Sequence, residues 1–513
     1  MENDLQIPAR TVGELLRHSA SRFGREPAVV VPDKTRAVSF SYARLERDTA
    51  ALAVALKARF PAGTRVLVLG KNSYFQVLSL LALLVGAGVA VPADPGLHAD
   101  ELKALCQDTG AGAVLYGEEE TKRIPLLKMP PERCIPFSAF PALLREGREA
   151  ILCGVPSPLY LSDNREGAAI FATAGHTGAP KTLMLPAAQL TAAAQSLAGR
   201  LPQRPGTRVL SMLSFCLSPV LTAGLLAPLS TGAAVPVSAA LTDFKKDARL
   251  LAPTRLILPP FAVSDLLSEM PEKKRSTALS ARALPVRTRR KMTAAWGGAL
   301  TEICSVGASL PFSVSRELQK RGLEIFSLYG AAECAGAMAV GIPSRTGDVG
   351  TPLPGLSADV FDPGPDGCGE IRFRGDFVVK NYLKNPENAR NLRDGWFYTG
   401  DAGTLSPDGR LVILGRTASA IRFPDGRWVC PEELSQRLLT CPLCRKVKIF
   451  ALPRGNQKPP EMAALITPDP LAAYRILGKD YTLSDLTDAL SAFIEKMNEG
   501  LPEHKEILSF ALG

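Results

Sequence analysis

Short runs rich in apolar and β-branched residues alternate with helical patterns through most of this chain: 65–69, 88–92, 113–116, 168–172, 208–212, 255–259 and 323–328. That alternation constrains the fold more than any other feature, because it calls for parallel sheets covered by helices, an α/β architecture. A length of 513 residues, 46% of them apolar, exceeds one ordinary core and predicts two or three packed units. From about Asp348 the texture shifts to Gly/Pro turns and short strands (369–374, 410–414), where the sheet is expected to become more antiparallel. Beyond Arg416 the remaining residues predict a small α+β unit, with strands at 446–451 and 462–467. Its last helix is marked by Leu483, Leu486, Leu490, Phe493, Ile494 and Met497 after a cap at Thr482. Near the start, Thr11 and Glu14 have capping-box spacing ahead of Leu15 and Leu16. No internal repeat is present.

The formal net charge of +10 suits nucleic acid, an anionic membrane, or an acidic substrate or partner protein. One basic run stands out, Lys273, Lys274, Arg275, Arg282, Arg287, Arg289, Arg290 and Lys291, with no acidic residue among them. It lacks the aromatic residues that stack on bases, so nucleic acid is not expected and a solvated helix face or loop is the plainer reading; an acidic carrier protein or an anionic membrane surface is the partner such a run would suit. Ten sparse, irregularly spaced cysteines argue against a disulfide scaffold and for a reducing, cytoplasmic setting. Cys441 and Cys444 form one C-x-x-C without a second pair or a nearby His, and are expected to be core or surface thiols. Residues 1–10 carry acidic side chains and no apolar core, unlike a secretory signal. The longest apolar stretch, 75–91, predicts a buried helix running into a strand.

The richest chemistry lies in Thr173-Ala-Gly-His-Thr-Gly-Ala-Pro-Lys181, between the apolar run 168–172 and a segment expected to be helical. Gly175 and Gly178 let backbone N–H groups close on an anion, Thr173 and Thr177 add hydroxyls, and Lys181 adds a mobile positive charge. The inventory suits a triphosphate. It is not the common P-loop, which needs Gly immediately before the Lys where Pro180 stands here, and no Rossmann fingerprint is present.

Beside three later segments, Tyr329-Gly-Ala-Ala-Glu333, Gly395-Trp-Phe-Tyr-Thr-Gly-Asp401, and Gly415-Arg416 followed by 421–433, the chain resembles the adenylate-forming superfamily of acyl-CoA synthetases, luciferases and peptide-synthetase adenylation domains. The resemblance implies a large N-terminal domain (1–416) of two α/β subdomains plus a distorted β-barrel, and a small mobile C-terminal domain (417–513). It implies ATP held by the 173–181 loop, with Tyr329 and Gly330 packed against adenine and Gly307, in the small-residue turn 305–310, lining that pocket. Asp401 and Arg416 would meet the ribose, and Glu333 would hold Mg²⁺. Lys181, Glu333 and His176 are the catalytic candidates. The implied reaction joins a carboxylic acid to the α-phosphate of ATP, then passes the acyl group to the thiol of coenzyme A or of a carrier protein's phosphopantetheine arm. Charge neutralisation and positioning would carry most of it. In Ser214-Phe-Cys-Leu-Ser218, Cys216 stands where amino-acid-activating relatives carry Asp. An unpaired buried ammonium is costly, so a fatty or other apolar acid is expected.

Several positions depart from the family. Ala174, His176 and Thr182 replace Ser, Thr and Gly; Ala332 replaces Thr; Ala418 and Ser419 replace an Asp-rich hinge. No residue up to Gly513 matches the lysine that relatives carry in a late Gly-Lys or Thr-Lys segment; Lys505 lies too early, with a substitute role left open. Losing one charged donor costs about 10²–10³ in rate, so slow adenylation is expected. Three readings stay open at this point: a divergent working ligase, an enzyme of the thioester half-reaction alone, and a nucleotide- or acyl-binding scaffold.

Overall fold

The computed structural model describes residues 9–160, 167–173, 181–239, 243–270, 286–383, 391–454 and 458–513. Helix α1 (Val12–Phe23) starts where Thr11 Oγ1 accepts from the Glu14 N–H, and buries Leu15 and Leu16. The hairpin β1 (Pro27–Asp33) and β2 (Arg36–Ser41) leads into α2 (Tyr42–Lys57), capped by Ser41. Five strands follow in βα alternation: β3 (Arg65–Leu69), β4 (Val89–Ala93), β5 (Ala113–Tyr116), β6 (Cys134–Pro136) and β7 (Ala168–Thr173). Among them run α3 (Tyr74–Ala82), α4 (Ala99–Thr109) and α5 (Phe140–Leu152). The apolar stretch expected as helix into strand is therefore α3, one wider π turn (Leu83–Ala87), and β4.

The first sheet has the order β6-β5-β3-β4-β7-β8, parallel except at its end, where β8 (Lys181–Pro186) pairs antiparallel with β7. This corrects the expectation of a helix directly after the phosphate loop. Thr182, Leu183 and Leu185 are buried while Met184 and Pro186 face out, so the segment follows a strand period; helix α6 (Ala187–Arg200) begins only after Pro186.

The second sheet starts with β9 (Val209–Ser211), while β10 (Val235–Pro236) joins the β1–β2 hairpin. Strands β11 (Arg255–Leu258), β12 (Glu302–Val306) and β13 (Glu324–Tyr329) continue it in parallel. From β14 (Ala339–Gly341) and β15 (Asp348–Pro352) onward the pairing turns antiparallel, so the change begins with β14, ahead of the Asp348 boundary expected from the sequence. Strands β16 (Leu356–Phe361), β17 (Gly369–Gly375), β18 (Leu392–Arg393), β19 (Trp396–Leu405) and β20 (Leu411–Arg416) complete the sheet.

Past Arg416, a separate apolar cluster from Phe423 to Ile507 packs a three-stranded sheet against the helices 431–438 and 483–498. Two of that sheet's strands, Cys444–Arg454 and Lys458–Pro468, contain the expected runs, and Thr482 caps the last helix as predicted. The overall architecture is mixed α/β with a large N-terminal and a smaller C-terminal part.

Candidate active site

The long hairpin β19–β20 sets one half of the site. Its register places Asp401 opposite Arg416, just ahead of a shift in register between Ala402 and Gly403. Arg416 Nη1 lies 3.0 Å from Asp401 Oδ1, and the Tyr329 hydroxyl, arriving on the end of β13, donates to Asp401 Oδ2 at 2.5 Å. Thr399 Oγ1 accepts from the Asp401 N–H at 3.0 Å and fixes the carboxylate's stem. Burial first, and then the Asp401 carboxylate, push the Tyr329 phenol well above its ordinary pKa, so it stays a donor at any physiological pH. Asp401 is thus held by a cation and a hydroxyl, with Arg416 half exposed beside it.

Four residues beyond Tyr329 stands Glu333, 8% exposed. The connecting loop is pinned at Gly330, where a Cβ would lie 2.0 Å from the Gly336 carbonyl oxygen, so only glycine fits. Glu333 Oε1 accepts from the Tyr382 hydroxyl at 2.7 Å, and the Lys181 ammonium sits 5.3 Å from the centre of the Tyr382 ring. Burial, then the neighbouring carboxylate, raise the Tyr382 pKa as well. Lys181 reaches this place because β8 bridges to the segment at Tyr382: Leu183 faces Tyr382, and the Leu383 N–H donates to the Thr182 carbonyl at 2.8 Å. Tyr382 escaped sequence reasoning because it belongs to no recognisable motif, and its partners lie 49 and 201 positions away.

Five predicted residues thus fall into two groups, Tyr329–Asp401–Arg416 and, through the unpredicted Tyr382, Lys181–Tyr382–Glu333, joined by Tyr329-Gly330-Ala331-Ala332-Glu333. Thr173 ends β7 opposite Lys181 in the β7–β8 register. Gly175, His176, Thr177 and Gly178 lie outside the described residues, as do Ala174 and four of the eight residues of the basic run, Lys273, Lys274, Arg275 and Arg282. Gly307 follows β12 with φ +98°, beside the end of β13. Burial pushes the Cys216 thiol up to about 11, so it carries no charge at neutral pH and offers no partner for an ammonium. Ser419 bonds the Arg416 carbonyl and Glu432. Lys505 is not free for a substitute role in this conformation: it is 8% exposed, and its ammonium bonds Glu433 at 2.8 Å. All ten cysteines are free thiols, Cys441 and Cys444 both buried. Among the described residues no helix is long and apolar enough to cross a membrane.

A carboxylate clamped between a guanidinium and a phenol can orient a diol. A buried carboxylate beside an ammonium can hold a hard cation against phosphate oxygens. This chain belongs to the AMP-binding enzyme family, whose pattern matches residues 16–383. It is similar to the long-chain-fatty-acid–CoA ligase FadD15 of Mycobacterium bovis, 31% identical over 237 residues. That match covers 44% of this chain and 38% of FadD15, so the chain spans about two fifths of that relative's length. Its fold matches that of the anthranilate CoA ligase AuaEII in complex with anthranoyl-AMP, with a TM-score of 0.75 at 18% identity over 99% of this chain and 94% of the other. It also matches O-succinylbenzoate coenzyme A synthetase of Bacillus subtilis in complex with ATP and magnesium ion, with a TM-score of 0.71 at 20% identity over 97% and 95%.

Proposed function

We propose that the protein activates an apolar carboxylic acid with ATP, forming an acyl-adenylate and pyrophosphate, and then passes the acyl group to the thiol of coenzyme A or of a phosphopantetheine arm. A carboxylate oxygen forms the bond to the α-phosphorus as the bond to pyrophosphate breaks; the thiol sulfur then takes the acyl carbon as AMP leaves. The observation that carries this reading is the arrangement of Asp401–Arg416–Tyr329 and Glu333–Tyr382–Lys181 at the two ends of one five-residue segment. Asp401 and Arg416 meet the ribose hydroxyls, Tyr329 and Gly330 border the base with Gly307, and the 173–181 loop with Lys181 meets the phosphates.

The donor set fits Mg²⁺: Glu333 is a hard, largely buried carboxylate with lone pairs beyond the one Tyr382 occupies. When bound, the ion neutralises phosphate charge and so lets an anionic acid approach. The uncharged Cys216 favours a fatty or other apolar acid over an amino acid. We place the domain junction at Arg416, with 417–513 as the mobile lobe, and the reaction in the cytoplasm, in keeping with ten free cysteines. The carrier, where the acceptor is protein-bound, is acidic and meets the basic run; an anionic membrane surface is the other partner that run suits.

The test is exchange of labelled pyrophosphate into ATP across a panel of fatty and aromatic acids. Acid-dependent exchange is the expected result. No exchange, with thioester formed from supplied acyl-adenylate, would leave only the thioester half-reaction; no ATP binding by calorimetry would leave a scaffold.

A further inference from the structure

Away from the groups just described, a cleft of about 580 Å³ opens between the β1–β2 hairpin, α2, the start of α3, and α5. Its volume lies in the range of small-molecule sites. The walls are apolar and rigid: Phe40 and Tyr74 stack with centroids 3.7 Å apart and planes within 10°, and Phe75 and Leu144 continue the surface. Asn72 carries one edge, and its own side chain is fixed by the Leu213 carbonyl (3.2 Å) and the Phe215 N–H (3.4 Å).

The polar groups are unbalanced. Arg44, Arg145 and Arg148 line the cleft against a single acid, Asp48, an excess of two positive charges. Asp48, nearly buried, takes Arg44 Nε (3.3 Å), Arg148 Nη2 (3.2 Å) and the Tyr74 hydroxyl (2.9 Å), so it acts as the post that holds the arginines. Arg44 lies over Phe40, its guanidinium carbon 4.7 Å from the ring centre. Arg145, exposed one turn before Arg148 on α5, makes no ion pair among the described residues.

We propose that this cleft is a second ligand site, independent of the nucleotide site, and that it takes a small anionic amphiphile: an apolar chain or ring bearing a carboxylate. The apolar part lies along the edge of Phe40, whose faces Tyr74 and Arg44 cover, and against Leu144, and the carboxylate meets Arg145 and Arg148 in the forked geometry guanidinium groups offer.

The experiment pairs calorimetry with photo-crosslinking by a diazirine-bearing fatty acid, using the full chain. Crosslinks are expected in the segments 36–48, 72–75 and 141–148, competed by dodecanoate. Dodecanol and inorganic phosphate should compete at least tenfold less well, because each has only half of the required chemistry. Arg145→Glu, an exposed change, should weaken dodecanoate competition in these segments about tenfold, and Phe40→Ala should weaken it independently. Crosslinks absent from these segments, or unaffected by both substitutions, would overturn the proposal. Phosphate competing as well as dodecanoate would reduce the site to a bare anion site and overturn it equally.

Discussion

The two halves of the candidate site are built in different ways. Tyr329, Asp401 and Arg416 hold one another directly, and two of the three are paired by strand register in a single hairpin. Lys181, on β8, and Glu333, in the short turn after β13, meet through a third residue, Tyr382. Preorganisation is therefore strongest at the end assigned to the ribose, which binds but does not react. At the end assigned to the reacting phosphates, Tyr382 spaces the two charges that would meet the charge developing in the reaction.

Kinetics can break this contrast. In pyrophosphate exchange, Lys181→Ala and Glu333→Gln should each lower the rate about 10²–10³, mostly in kcat, because both are assigned to charge that develops during the reaction. Next in size, Asp401→Ala should raise the KM for ATP about tenfold to a hundredfold with kcat less affected, the signature of an interaction equal in ground and transition states. The reverse pattern, with Asp401→Ala acting on kcat and Glu333→Gln on KM, would exchange the two assignments.

Smaller changes sharpen it. Tyr382→Phe removes the hydroxyl that steers Glu333 and should cost about three- to tenfold in kcat, measured at saturating ATP. Smallest is an effect of pH on the scaffold of the ribose side. Burial alone would raise the Asp348 pKa, but hydrogen bonds from Ser344, Arg410 and the Gly350 N–H hold it below the usual carboxylate range, and β15 pairs with β20. A carboxyl depressed in the folded state adds stability that is complete above its unfolded value, about 3.9, and is lost as pH falls through the folded one. The urea midpoint should therefore fall between pH 6 and pH 3, and Asp348→Asn should flatten that part of the slope.

Much of this was legible in the chain itself, for local reasons. Strands β3, β5, β11 and β13 lie within a residue of their apolar runs, and the helix 483–498 begins at the Thr482 cap its pattern demands. Asp401, Arg416, Glu333 and Tyr329 could be singled out one by one from their motifs. Their mutual bonds could not, because a register shift at Ala402/Gly403 and the turn at Gly330 decide who faces whom. β8 passed for helix because its apolar residues run on into α6 without a polar break. Tyr382 was invisible for another reason: its place depends on a bridge to Leu183, a contact between distant parts of the chain.

The tight crossing of Gly330 over Gly336, which is itself pressed against Ser218 and Pro219, leaves the molecule no slack between Tyr329 and Glu333. Any side chain at either position would act as a wedge, so drift in sequence cannot retune the spacing of Tyr329 and Glu333 by small steps.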